Sequence, residues 1–136
     1  MASVVTDLGH GVTVAAVLGG GLEPKYIGWG TGAGTAASTD TTLFTEKDVD
    51  LSTGTGTRTT GTSSQVTTTY TGDTYQVTGT RTATGSGTVT NAGLFTNATI
   101  SSGTMFAKSD SASWSTGSVA LVSGDSIAFT FKIKQA

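Results

Sequence analysis

The chain contains no cysteine. Disulfide frameworks and cysteine-ligated zinc are therefore excluded, and the redox compartment stays open. It has one proline and one histidine, His10. A Ser-His-Asp centre would have to use His10, which sits between two glycines near the N-terminus, where a solvent-exposed loop histidine is expected. Seven Lys plus Arg against nine Asp plus Glu leave a formal charge of −2 and a pI near 5.0. That is no basic footprint, so no nucleic-acid partner is expected. No apolar run approaches the ~18 residues of a spanning helix, so no membrane partner is expected either. The opening MASVVTDLGH lacks the basic region and apolar run of a secretory signal. Leu, Ile, Val and Phe together make up only about 20% of the residues, at the edge of the disordered range. Low net charge and patterned apolar runs argue instead for a folded domain with a lean core, a good candidate for stabilisation by neighbouring subunits.

Threonine dominates what remains. There are 30 threonines, 20 glycines and 15 serines in 136 residues. Thr is β-branched and favours strands, while Gly supplies turns and bulges. The expected fold is all-β, an antiparallel β-sandwich or jelly-roll-like barrel with one short N-terminal helix. The length suits a single domain over residues 1–136, with a short N-terminal arm of about residues 1–7.

The last segment carries the clearest pattern. In SGDSIAFTFKIK, Ile127, Phe129, Phe131 and Ile133 alternate with Ala128, Thr130, Lys132 and Lys134. This predicts a strand with one core face and one wet face. In TYQVTGTRTAT, Tyr75, Val77, Gly79, Arg81 and Ala83 share a face in the same way. Val66, Thr68 and Tyr70 extend a strand toward a turn at Thr71 to Asp73. PKYIGWG reads as a short strand, TGAGTAASTDTT as a polar loop and LFTEKDVDL as a strand rim. GTVTNAGLF and GTMFAKS read as two strands around a turn near Asn97. TDLGHGVTVAAVLGGG reads as a short helix with Val5, Leu8, Val12 and Ala15/Ala16 on one face. Asp7 is its expected N-cap and Gly19 to Gly21 its stop, although Gly9 and Gly11 each cost a helix about 1 kcal/mol.

Four glycines alternate in KYIGWGTGAGTAAS, at Gly28, Gly30, Gly32 and Gly34. A dinucleotide or phosphate loop needs an apolar helix directly after it, and GTAASTDTT offers none. Bare alternating positions suit a strand that bends sharply or lies against another backbone. Glu46, Asp48 and Asp50 are carboxylates near enough in sequence to ligate calcium, but they match no EF-hand spacing and read as an acidic rim loop. Thr-x-Thr arrays line wet strand faces, where cross-strand pairs add roughly 0.2–1 kcal/mol each. Trp29 and Trp114 read as packing anchors rather than sugar platforms. No catalytic residue, metal ligand or cofactor is expected.

Several segments in order carry a resemblance: EPKYIGWGTG, TYQVTGTRTATGSGTVTNAGLF, SGTMFAKSD and LVSGDSIAFTFKI. With the motifs Tyr26-Ile27-Gly28-Trp29-Gly30-Thr31-Gly32, Asn91-Ala92-Gly93-Leu94-Phe95 and Gly124-Asp125-Ser126-Ile127, the chain resembles a group of small tailed-bacteriophage virion proteins. These are regarded as capsid decoration (cement) or tail-associated proteins, and many carry an acid where Asn91 stands. The resemblance spans most of Glu23 to Ile133. It implies a β-sandwich that trimerises and binds the outer surface of a phage capsid, assembled in the host cytoplasm, with the major capsid protein and itself as partners. The motif residues Tyr26, Trp29, Leu94, Phe95, Ile127, Phe129, Phe131 and Ile133 are expected in the core. The alternatives are a tail or fibre-tip protein contacting the host surface and a carbohydrate-binding module. The expected capsid contact is the uncharged N-terminal arm, Ala2, Ser3, Val4, Val5 and Thr6, laid along another chain's strand edge. The polar loop from Gly32 to Thr42 is the next candidate.

Overall fold

The computed structural model describes residues 3–9, 16 and 22–134. Those residues form an all-β fold of antiparallel strands: β1 (Val4–Val5), β2 (Tyr26–Gly30), β3 (Glu46–Lys47), β4 (Thr59–Thr60), β5 (Thr62–Val66), β6 (Thr74–Thr82), β7 (Gly87–Val89), β8 (Asn91–Phe95), β9 (Met105–Asp110), β10 (Val119–Leu121) and β11 (Ser126–Lys134). The main sheet runs β1-β9-β8-β2-β3, with β4 also paired to β2. A three-stranded sheet runs β11-β6-β5, and β7 pairs with β10 in a small ribbon.

The core lies between the main and three-stranded sheets. Alternation puts Ile27, Trp29, Ala92, Leu94 and Ala107 of the main sheet against Val77, Phe129, Phe131 and Ile133 of the other, all buried. Val89 and Leu121 of the ribbon close one side. Ile127 is half-buried at the rim of this cluster. Gly61 turns the chain from β4 of one sheet into β5 of the other, and its N–H bonds the Lys25 carbonyl. A side chain there would collide with Val77 and with the Lys25 oxygen.

Four expectations need correction. GTVTNAGLF is not one strand: Thr90 separates β7, in the ribbon, from β8, in the main sheet. Residues 66–70 do not continue as a strand. β5 stops at Val66 because the Asp73 carboxylate accepts the N–H groups of Thr68, Thr69 and Tyr70 at 2.8–2.9 Å, curling the chain into a closed turn. Tyr70 is left 74% exposed.

The other two concern the N-terminus. Residues 3–6 are not a free arm. β1 pairs with β9, Val4 opposite Lys108 and Val5 opposite Ala107, and Val5 packs on the core. Thr6 is fully buried, and its hydroxyl bonds the Met105 carbonyl. In this N-terminal segment the described α-helical residues are 7–9 and 16. The cap is Thr6 rather than Asp7, since Thr6 Oγ1 accepts the Gly9 N–H at 2.9 Å. His10, Gly11, Val12, Ala15 and Gly19 to Gly21 lie outside the described residues, as does Ala2.

Candidate interaction surface

The outer face of the main sheet is covered rather than wet. Residues 32–46 cross it as an irregular strap, and the alternating glycines make this possible. A β-carbon on Gly30 would overlap the Phe44 carbonyl oxygen, and one on Gly34 would enter the Phe44 ring. One on Gly28 would lie 2.6 Å from the Glu46 carboxylate. The glycines are bare because other parts of the chain lie against them, backbone at Gly30 and Gly32 and side chains at Gly28 and Gly34, and no described helix N-terminus follows that could hold a phosphate.

Three side chains on the outward face of β8 and β9 hold the strap. Asn91 bonds Phe44 at both ends, accepting its N–H at 3.0 Å and donating to its carbonyl at 3.1 Å. Asp110 accepts the Ala36 N–H at 2.7 Å. Lys108, fully buried, donates to the Asp40 carboxylate and the Thr42 carbonyl, both at 2.9 Å. Its ammonium lies 3.2 Å from the centre of the Phe44 ring, a cation–π contact beneath the strap. Burial alone would raise the Asp40 carboxyl, but hydrogen bonds from Lys108 and the Ala37 N–H outweigh it and hold the group below its ordinary range.

Two more buried cations join the same region. Arg58 forms a forked pair with Glu46, Nε to Oε1 at 2.7 Å and a terminal nitrogen to Oε2 at 3.0 Å. It also donates to the carbonyls of Asn97, Thr99 and Ser102, and it lies 3.4 Å over the Phe95 ring. Arg81 reaches Thr59, the Lys47 and Thr57 carbonyls, and Asp48 at 3.5 Å, above Trp29. Among the described residues its Nε has no hydrogen-bond partner, and burial pushes its guanidinium below the ordinary value. Asp40, Glu46 and Asp48 thus each meet one buried cation, from three different parts of the chain.

These pairings account for the acids with calcium-like proximity. Glu46 and Asp48 face arginines, and Asp50 caps the turn at Ser52 and Thr53. Among the described residues no cluster of three or more His, Asp or Glu is placed to hold a metal. No described helix is long and apolar enough to cross a membrane. Trp29 is fully buried, and its indole N–H donates to the Asp48 carbonyl at 3.0 Å, so its ring is closed to any ligand. Trp114 is half-buried and borders an open groove with Val119 and Ile127.

The motif residues are therefore distributed between the two layers. Trp29 and Leu94 are in the main core, while Phe95 joins Leu43 and Met105, with Tyr26 beside them, in a second cluster under the strap. Phe129, Phe131 and Ile133 line the main core from β11. Ser3, Val4 and Val5 are half-buried at the sheet edge. Phe44 and Asp40 were not singled out in the sequence. The signal for them is the glycine face of β2, which requires something to lie across it. Comparison with family models, with curated proteins and with solved structures finds no match for this chain.

Proposed function

We propose that this chain is a bacteriophage capsid decoration protein, which binds the outer capsid surface as a trimer and stabilises the shell by bridging capsid subunits. The observation that carries this reading is the place of the three resemblance motifs in the framework, two on adjacent strands of the main sheet and one at the turn into the three-stranded sheet. Tyr26 to Gly30 forms the bare strand, Asn91 to Phe95 is the strand that grips the strap, and Gly124 to Ile127 turns the chain into β11. The motifs thus belong to the framework that carries the strap, in keeping with a protein that works through its surface. The exposed strand faces are rich in Thr and Ser, with few charges, which suits broad hydrogen-bonded contact with another protein.

A protein that binds only the closed shell stabilises that shell by linkage, because opening it also breaks the decoration contacts. Repeated contacts across a trimer would make modest single-site affinities tight. The test is to add purified chain to undecorated particles of the phage that carries it. The chain is expected to co-sediment with them and raise the temperature at which they release DNA. No co-sedimentation at micromolar concentration would reject the reading.

A further inference from the structure

β11 is the outer strand of its sheet. β6 pairs with it in unbroken antiparallel register over all nine residues, and no described strand pairs with its other side. Edge strands are usually blunted by proline, a bulge, a cover or charge, lysine above all. β11 has no proline and no register break, and its two lysines, Lys132 and Lys134, stand at its C-terminal end, which leaves Ile127–Thr130 without charge. The free edge borders the groove between Ile127–Thr130 on one wall and Trp114, Thr116 and Val119 on the other. Trp114 gives its indole N–H to Ser109 at 2.9 Å, which fixes the ring where it borders this groove. Unpaired backbone and a half-buried apolar wall therefore lie side by side. An extended segment satisfies the first with its main chain and the second with alternate side chains.

The charge at the far end of the strand indicates the occupant. Lys132 is exposed and makes no ion pair among the described residues, and Lys134 donates only to the Thr69 hydroxyl, at 2.6 Å. We propose that β11 accepts an extended segment of a partner protein by strand addition, with apolar side chains against Trp114 and Ile127 and a carboxylate against Lys132. A second copy of β11 fits less well. Laid antiparallel about Thr130, it sets Lys132 opposite Ala128 and leaves both lysines uncompensated. The inference rests on this strand and its groove, and does not depend on the partner being a capsid subunit.

The test uses the full chain and two synthetic heptapeptides of alternating Val and Thr. One carries Asp at its N-terminal end, for antiparallel addition, and the other at its C-terminal end, for parallel addition. Trp29 is fully buried, so acrylamide quenching of fluorescence reads Trp114. One of the peptides is expected to shield Trp114. Methylating alternate backbone nitrogens, in one of the two phases, is expected to weaken that binding by about tenfold or more. Lys132→Glu, at an exposed position, is expected to lose the acidic peptide and to bind its Lys-for-Asp counterpart. Three results would overturn the proposal: no shielding at millimolar peptide, shielding indifferent to both methylation phases, or concentration-dependent self-association that occludes Trp114 and shows β11 pairing with its own copy.

Discussion

Glu46 and Arg58 bury a forked ion pair whose side chains are 12% and 2% exposed. Removing one member of such a pair leaves an uncompensated buried charge. Glu46→Ala is therefore expected to destabilise the fold by about 3–5 kcal/mol, and Arg58→Met in the same chain should not restore it, because the Asn97, Thr99 and Ser102 carbonyls then lose their donor. Urea unfolding of the two variants checks this; a cost below about 1 kcal/mol for Glu46→Ala would show that the pair is solvated. At Asn91 the argument concerns a donor. An ionised acid can accept the Phe44 N–H but cannot donate to the Phe44 carbonyl, and it faces that oxygen with a negative charge. Asn91→Asp is expected to cost about 1–3 kcal/mol at neutral pH, measured by thermal unfolding. Asp73 makes a third residue-scale case. The N–H groups of Tyr70, Thr68 and Thr69 hold its carboxyl well below the ordinary 3.8. A depressed folded pKa gives stability that is present above the unfolded pKa and is lost as pH falls through the folded one. The turn at residues 67–73 should thus stay closed down to pH 4 and loosen only in stronger acid. Carbon-13 titration of the Asp73 carboxyl tests this, and a midpoint at or above 3.8 would contradict it.

At the scale of elements, alternation was legible wherever a strand has one dry face. β11 shows it plainly, and β6 shows it even at Arg81, whose place on the core side follows from its spacing to Val77 and Gly79. Strand ends were less legible because side-chain traps set them. The Asp73 carboxylate stops β5 where Val66 and Thr68 still alternate, and Thr90 hands the chain from the ribbon to the main sheet within one apparent strand. The strap was visible only by implication. Its sequence is polar and irregular, and the reasons it is held, Asn91, Lys108 and Asp110, lie 47 to 74 residues from the groups they bond. The N-terminus misled for a related reason, since an uncharged β-branched stretch pairs equally well with its own sheet or another's. Here it pairs with β9, so the segment carries stability. Deleting residues 2–6 is expected to lower the melting temperature, because it removes the β1 ladder and the buried Thr6. Thr6→Ala alone should cost about 0.5–2 kcal/mol through loss of the cap to Gly9 and the bond to Met105. Unchanged melting of the deletion variant would return the stretch to the role of a free arm.

The whole molecule combines a lean core with dense polar fastening. Its main hydrophobic cluster is supplemented by buried cations, each over an aromatic ring and each facing a carboxylate from residues 40–48. That arrangement gives a rigid body with a hydrogen-bonding surface, which suits repeated docking on a lattice of identical subunits. The trimer belongs to the same proposal: density at three-fold positions of the particle would support it, and isolated single copies or two-fold density would reject it. The most direct measurement is the number of copies of this chain in purified virions, read by gel densitometry against the major capsid protein. Capsid decoration predicts about one copy per capsid subunit. A handful of copies per particle would contradict it and move the chain to the tail.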